Sequence, residues 1–180
     1  MKDNYWYWSK LLDKNKIEEL CNFIEKNFDD YEGNHFDKDL KFVSTVKVIL
    51  WHKVKHLLND ITTKCFATNR DNYGFNIWPI LDSDYVNYNT YKKGNKYDWH
   101  KDSDTSLTQD TKFTILINLS TEKYKGGNLE HYSYGAYEIK ELNDPGSVIM
   151  FPSYVYHRVT PITQGKRKTL AIFIRGPKFI

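Results

Sequence analysis

The 180-residue sequence predicts a mainly β fold, a sandwich or barrel braced by helices at its N-terminal end. Three observations carry that expectation. Apolar residues recur at helical spacing in the first part of the chain, short apolar or alternating runs replace them after Gly74, and turn-forming clusters punctuate those runs. The length fits one domain, with helical support over residues 1–72 and a β core over residues 73–180.

The first helix starts at Asp13, a side chain suited to capping, and continues through Ile17, Leu20, Cys21, Ile24 and Phe28. A second carries Val54, Leu57, Leu58, Ile61 and Cys65 at the same offsets. Between them residues 29–41 are polar and contain Gly33-Asn34, which predicts a loop. Ahead of both, Tyr5, Trp6, Tyr7 and Trp8 form an aromatic cluster expected to pack on the β core. Phe113 to Leu119 is rich in strand formers, with Phe113, Ile115, Ile117 and Leu119 on one face. Ser147 to Phe151 and Thr169 to Ile174 are apolar throughout and suit strands covered on both sides. Gly126-Gly127, Asn143 to Gly146 and Pro161 to Gly165 supply the turns.

Composition narrows the function classes. The net charge of +3 is mild and the lysines are scattered, so no phosphate-tracking groove for nucleic acid is expected. No apolar run is long enough to span a bilayer, and the first residues lack the pattern of a signal peptide. Cys21 and Cys65 form no metal or redox spacing and read as reduced core thiols of an intracellular, cytoplasmic protein. The abundance of Lys, Asn and Tyr points to an AT-rich source genome, viral or marine bacterial.

The chemistry sits in His100-Lys101-Asp102, in His157 and in Arg167. Residues i and i+2 of a strand share a side, so His100 and Asp102 reach one point from one strand. Two imidazoles and one carboxylate are the facial triad of a non-haem Fe(II) centre, which leaves open positions for a chelating cosubstrate and O2. Val155 to Val159 and Arg167 to Ile174 flank the turn-rich stretch and predict a hairpin. In that hairpin His157 and Arg167 stand opposite each other on one face. Arg167 is then placed as a fixed cation for the far carboxylate of 2-oxoglutarate. His52 and His56 are also one helical turn apart, but without a third ligand they read as a solvated helix face.

From Tyr91 to about Arg175 the chain resembles the Fe(II)/2-oxoglutarate-dependent dioxygenases, and within them the prolyl and lysyl hydroxylase group. The resemblance rests on Tyr91-Lys92-Lys93-Gly94, the His-x-Asp, Gly126-Gly127-Asn128-Leu129, Pro145 to Ser153, His157 to Pro161, and Arg167 ten residues after the second His. It implies a double-stranded β-helix, a jelly roll, braced by the N-terminal helices. It further implies that His100, Asp102 and His157 hold Fe(II) and that Arg167 binds 2-oxoglutarate. Thr169, two residues on, would add a hydroxyl to that carboxylate, and Tyr91 would reach the cosubstrate with its phenol. The tyrosine that assists the Arg in some prolyl hydroxylases is matched here by Leu116, with Thr114 as the candidate substitute.

The implied reaction is hydroxylation of an unactivated C–H bond with release of succinate and CO2, ascorbate keeping the iron reduced. A prolyl residue of a protein or peptide is the first expectation for substrate, ahead of a lysyl residue. A free amino acid or other small molecule stays open, as does a catalytically silent metal-binding jelly roll. Asp102 fills the position that halide takes in halogenating relatives, which argues for hydroxylation over chlorination. Nucleic-acid demethylases carry a second Arg six residues after the first, where this chain has Phe173.

Overall fold

A computed structural model describes residues 4–31, 44–105 and 107–178. Most of the expected loop over residues 29–41 lies outside the described residues.

Helix α1 spans Lys14–Asn27, and the Asp13 side chain accepts the Lys16 backbone N–H at 2.8 Å, capping it as its sequence predicts. Helix α2 spans Trp51–Thr68 and runs into a π-helical turn at Asn69–Tyr73, closed by Gly74 in the left-handed conformation. Cys21 and Cys65 are free and buried in these helices. His52 and His56 lie on the exposed face of α2, in line with the bland expectation for them.

The strands are β1 (Trp6–Trp8), β2 (Thr45–Leu50), β3 (Tyr85–Tyr91), β4 (Tyr97–His100), β5 (Thr111–Asn118), β6 (Lys125–Gly126), β7 (Leu129–Tyr132), β8 (Ala136–Glu138), β9 (Val148–Pro152), β10 (His157–Val159), β11 (Ile162–Gln164) and β12 (Arg167–Arg175). A six-stranded major sheet has the order β1-β9-β5-β12-β3-β2, and a four-stranded minor sheet the order β4-β10-β7-β8. All their pairings are antiparallel. A two-stranded ribbon of β6 and β11 joins the layers.

The two faces of the major sheet do different work. Phe113, Ile115, Ile117 and Leu119 point to the helices with Leu170, Ile172, Ile174, Val148 and Met150, and pack on Leu20, Ile24, Leu58 and Cys65. The alternate residues point to the minor sheet, where Ile149 and Phe151 meet Leu129 and Val155. Strands β9 and β12 are covered on both sides, which is why their sequences are apolar without alternation.

Two sequence expectations need correction. The N-terminal support is not purely helical, because β1 and β2 are strands of the major sheet. Trp6 to Trp8 pairs with Val148 to Met150, so the aromatic cluster is an edge strand with Trp6 and Tyr7 exposed. The predicted hairpin of β10 and β12 is also absent. Strand β10 pairs with β4 and β7, while β12 pairs with β3 and β5. The turn-rich stretch between them forms its own strand, β11, which pairs with β6 and carries the chain from one sheet to the other. Gly126 serves that crossing. A Cβ on it would stand 2.1 Å from the Pro161 carbonyl oxygen, and its φ of +74° suits glycine.

Candidate metal and cosubstrate site

His100 ends β4 and pairs directly with His157 at the start of β10. The register shifts by one residue between these pairs, so Tyr97 faces Val159 and β4 carries one extra residue between Tyr97 and His100. The bulge keeps Tyr97 on the inward side with His100, and the two rings stack with centroids 3.8 Å apart. Asp102 is not on the strand, contrary to the i, i+2 argument. It lies in the turn after β4, held there by its backbone N–H on the Ser153 carbonyl at 3.0 Å.

The ligand atoms of His100, Asp102 and His157 nonetheless lie within 4.8 Å of one another. The Asp102 carboxylate oxygens stand 3.5 Å from His100 Nε2 and 3.6 Å from His157 Nε2. Each imidazole turns its Nδ1 to a backbone carbonyl, Asp98 at 2.8 Å for His100 and Val155 at 2.9 Å for His157. A carbonyl only accepts, so each Nδ1 carries a proton and each Nε2 is turned to the carboxylate. Burial pushes the His157 imidazole down to about 4, against the pull of Asp102, which keeps it neutral at pH 7. Burial alone would raise the Asp102 carboxyl. His100 and His157 beside it, with the hydrogen bond from the Thr114 hydroxyl, outweigh it and hold the group below its ordinary value. Two imidazole nitrogens beside an ionised oxygen fit a divalent iron and leave its remaining positions open.

Thr114 reaches this carboxylate from the major sheet, its Oγ1 donating to Asp102 Oδ2 at 2.5 Å. That contact adds an observed partner to a residue the sequence offers for the cosubstrate.

Arg167 and Thr169 point from β12 to the same side as Thr114, away from the helix-facing core. Both are about 2% exposed. Arg167 pairs with Tyr91 on β3, and its Cζ lies 5.4 Å from the centre of that ring. Tyr91 packs with Val159 and Ile162, and with Tyr97, the residue stacked on His100. Tyr91 feels the charges of both Arg167 and Asp102, so it links the cation to the triad. Burial raises the Tyr91 phenol against the opposing charge of Arg167, keeping it a neutral donor. Among the described residues no carboxylate forms an ion pair with Arg167. A buried guanidinium without a counter-charge is costly, and a dianion beside it would supply one.

Three contributors escape the sequence argument. Tyr97 stacks on His100 only because of the bulge, which no spacing rule reveals. Gly127 lies against the Arg167 stem, where a Cβ would meet Arg167 Cδ at 3.0 Å. His131 pairs with His157 on β7, fully buried and edge-on to Phe151 at 4.7 Å, with neither ring nitrogen hydrogen-bonded. Burial pushes its pKa down to about 3. A histidine in the alternating run Leu129 to Tyr132 was the one visible hint.

The family model of the 2OG-Fe(II) oxygenase superfamily matches residues 86–175, the half of the chain that holds the triad and Arg167. The chain belongs to the 2OG-Fe(II) oxygenase superfamily. The chain is 35% identical over 97 residues to a PKHD-type hydroxylase of Teredinibacter turnerae, a match covering 49% of this chain and 42% of that protein. It thus spans less than half the length of that curated relative. The fold is that of the viral collagen prolyl hydroxylase of Paramecium bursaria Chlorella virus-1, solved with 2OG, at a TM-score of 0.70 and 18% identity over 98% of both chains. It is also that of a Trichoplax adhaerens prolyl hydroxylase, solved with a hypoxia inducible factor peptide. There the TM-score is 0.72 at 14% identity, over 97% of this chain and 84% of the other. These neighbours place the oxygenase among the jelly rolls, as the sequence resemblance implied.

Proposed function

We propose that the chain is an Fe(II)- and 2-oxoglutarate-dependent dioxygenase that hydroxylates a prolyl residue of a protein or peptide. The observation that carries this reading is a pair of sites joined through Tyr91: three converging ligand atoms, and a buried Arg167 without a carboxylate partner among the described residues. Iron with 2-oxoglutarate and O2 supplies the oxidative decarboxylation that puts one oxygen into a C–H bond and leaves succinate and CO2.

The chain's own residues do the rest. His100, Asp102 and His157 would hold Fe(II) through Nε2, a carboxylate oxygen and Nε2. Arg167 offers a planar fork that fits the far carboxylate of 2-oxoglutarate with two parallel hydrogen bonds. The Thr169 hydroxyl and Tyr91 phenol lie beside it to add donors, and Thr114 is placed to orient Asp102. Burial of His157, Arg167 and Thr169 limits bulk water on their side of the site. The prolyl substrate is supported by likeness to prolyl hydroxylase structures, one of them with a peptide. Ascorbate belongs to this proposal as the external reductant that returns the iron to the ferrous state.

The test is anaerobic addition of Fe(II) and 2-oxoglutarate, followed by the visible metal-to-ligand charge-transfer band. Wild type should show the band, and His157→Ala should lose it. Arg167→Ala should need on the order of 100-fold more 2-oxoglutarate, the loss expected for two charge-assisted bonds. A folded wild type without the band would sink the oxygenase reading and leave a binding jelly roll.

A further inference from the structure

A sheet with one covered face normally turns polar residues to water on the other. On the minor sheet three large aromatic rings stand among the polar residues of that face. Trp99 on β4, Tyr156 just ahead of β10 and Tyr132 on β7 stand on its outer face, opposite in alternation to His100, His157 and His131. Trp99 and Tyr156 stack at 5.4 Å and 24°, and Tyr132 meets Trp99 edge-on at 5.6 Å and Tyr156 at 6.4 Å. Tyr132 and Tyr156 are 53% and 40% exposed.

The strip carries one cation, Arg158, with Glu130 and Glu138 facing each other on the same side. The Arg158 guanidinium lies 4.7 Å from the Trp99 ring centre, and its Nε donates to Glu130 at 2.7 Å. A patch whose one cation is outnumbered by carboxylates has nothing to hold phosphate or an acidic chain. It offers flat rings braced by their neighbours, so little side-chain freedom is lost on binding.

We propose that this strip is a docking site for a proline-rich segment of the polypeptide substrate, lying outside the pocket where the chemistry occurs. A polyproline II helix presents flat pyrrolidine faces, has few backbone N–H groups to satisfy, and is extended before it binds, which matches rows of exposed rings. The strip is continuous with the candidate site. Trp99 and Tyr156 immediately precede His100 and His157, and β4 is the edge strand of its sheet. A chain leaving the pocket over that edge meets Trp99 first. Rounding a layer about 10 Å thick takes about three or four residues at roughly 3.1 Å each. The inference rests on the proposed reading only in taking the substrate to be a proline-containing polypeptide.

The full chain, with and without Fe(II) and 2-oxoglutarate, is titrated anaerobically with a decaproline peptide and with a Gly-Ser decapeptide by calorimetry. Wild type is expected to bind decaproline and not the Gly-Ser peptide. The Tyr132→Ala/Tyr156→Ala double variant should weaken binding at least about tenfold, the scale of losing two ring contacts. Tyr132→Phe/Tyr156→Phe keeps the rings and should keep the binding. Both tyrosines are exposed, so the variants are expected to fold, as their circular dichroism will check. Equal binding of the two peptides by wild type, or unchanged decaproline binding by the Ala variant, overturns the proposal. Loss of decaproline binding in the ring-keeping variant overturns it too. None of these readouts needs turnover, so such a failure leaves the oxygenase reading standing, and a missing charge-transfer band would sink that reading alone.

Discussion

Thr114 reaches Asp102 from the sheet that supplies neither histidine, so the geometry of the carboxylate depends on both layers. Thr114→Val keeps the shape and removes the donor. It is expected to weaken Fe(II) binding by about tenfold or somewhat more, as loss of a ligand-orienting hydrogen bond does, with Thr114→Ser restoring most of it. An anaerobic iron titration followed by the charge-transfer band reads the difference; equal affinity in Thr114→Val would mean that the bond positions nothing. At this scale the sequence was generous with chemistry and poor in contacts. His100, Asp102 and His157 are legible because their residue types and order are restrictive. Thr114 was noticed for its face of the strand, yet its partner depends on how the turn after β4 lies under β5. That is a tertiary fact with no local trace.

Elements were legible where one periodicity ran long enough. Helix α1 has its cap and its apolar stripe in plain view, and the cap can be weighed directly. Asp13→Ala should cost about 1 kcal/mol, which lowers Tm by roughly 2–4 °C in a chain of this size. A differential scan would check it, and an unchanged Tm would show that the Lys16 N–H finds water as readily. Strands β1 and β2 were missed because three to six residues carry too little pattern against the helices beside them. The hairpin of β10 and β12 was mispaired for a different reason. Neighbouring strands in sequence usually pair, but the β11 crossing sends these two to different sheets. Arg167 is still linked to the triad, through Tyr91 on β3 instead of across a hairpin.

At the scale of the molecule the triad belongs to the minor sheet and is tied to the major-sheet side through Thr114 and the Ser153 carbonyl, so occupancy should report on stability. Fe(II) at a hundredfold excess over its Kd should stabilise the fold by about 2.7 kcal/mol, which raises Tm by roughly 5–10 °C. His157→Ala should show no such rise; an equal rise in that variant would place the iron elsewhere. The jelly-roll class was readable from many short strands with regular turns. Which strand lies in which sheet was not, because each apolar run of β9 or β12 is compatible with several neighbours.

The division of the major sheet into two faces has a chemical consequence. Among the described residues every sulfur atom lies on the helix side: Cys21, Cys65 and Met150 all sit in the core beneath α1 and α2. Burial also pushes the Cys65 thiol up to about 12, which suppresses its reactive thiolate. The triad opens on the other face. Under the proposed chemistry, an oxidant formed in a futile cycle would have a full β layer between it and the side chains most easily damaged by it. The first residues to suffer would be the aromatic rings lining the pocket, so ageing of the protein should register as altered tyrosine long before it registers as lost thiol.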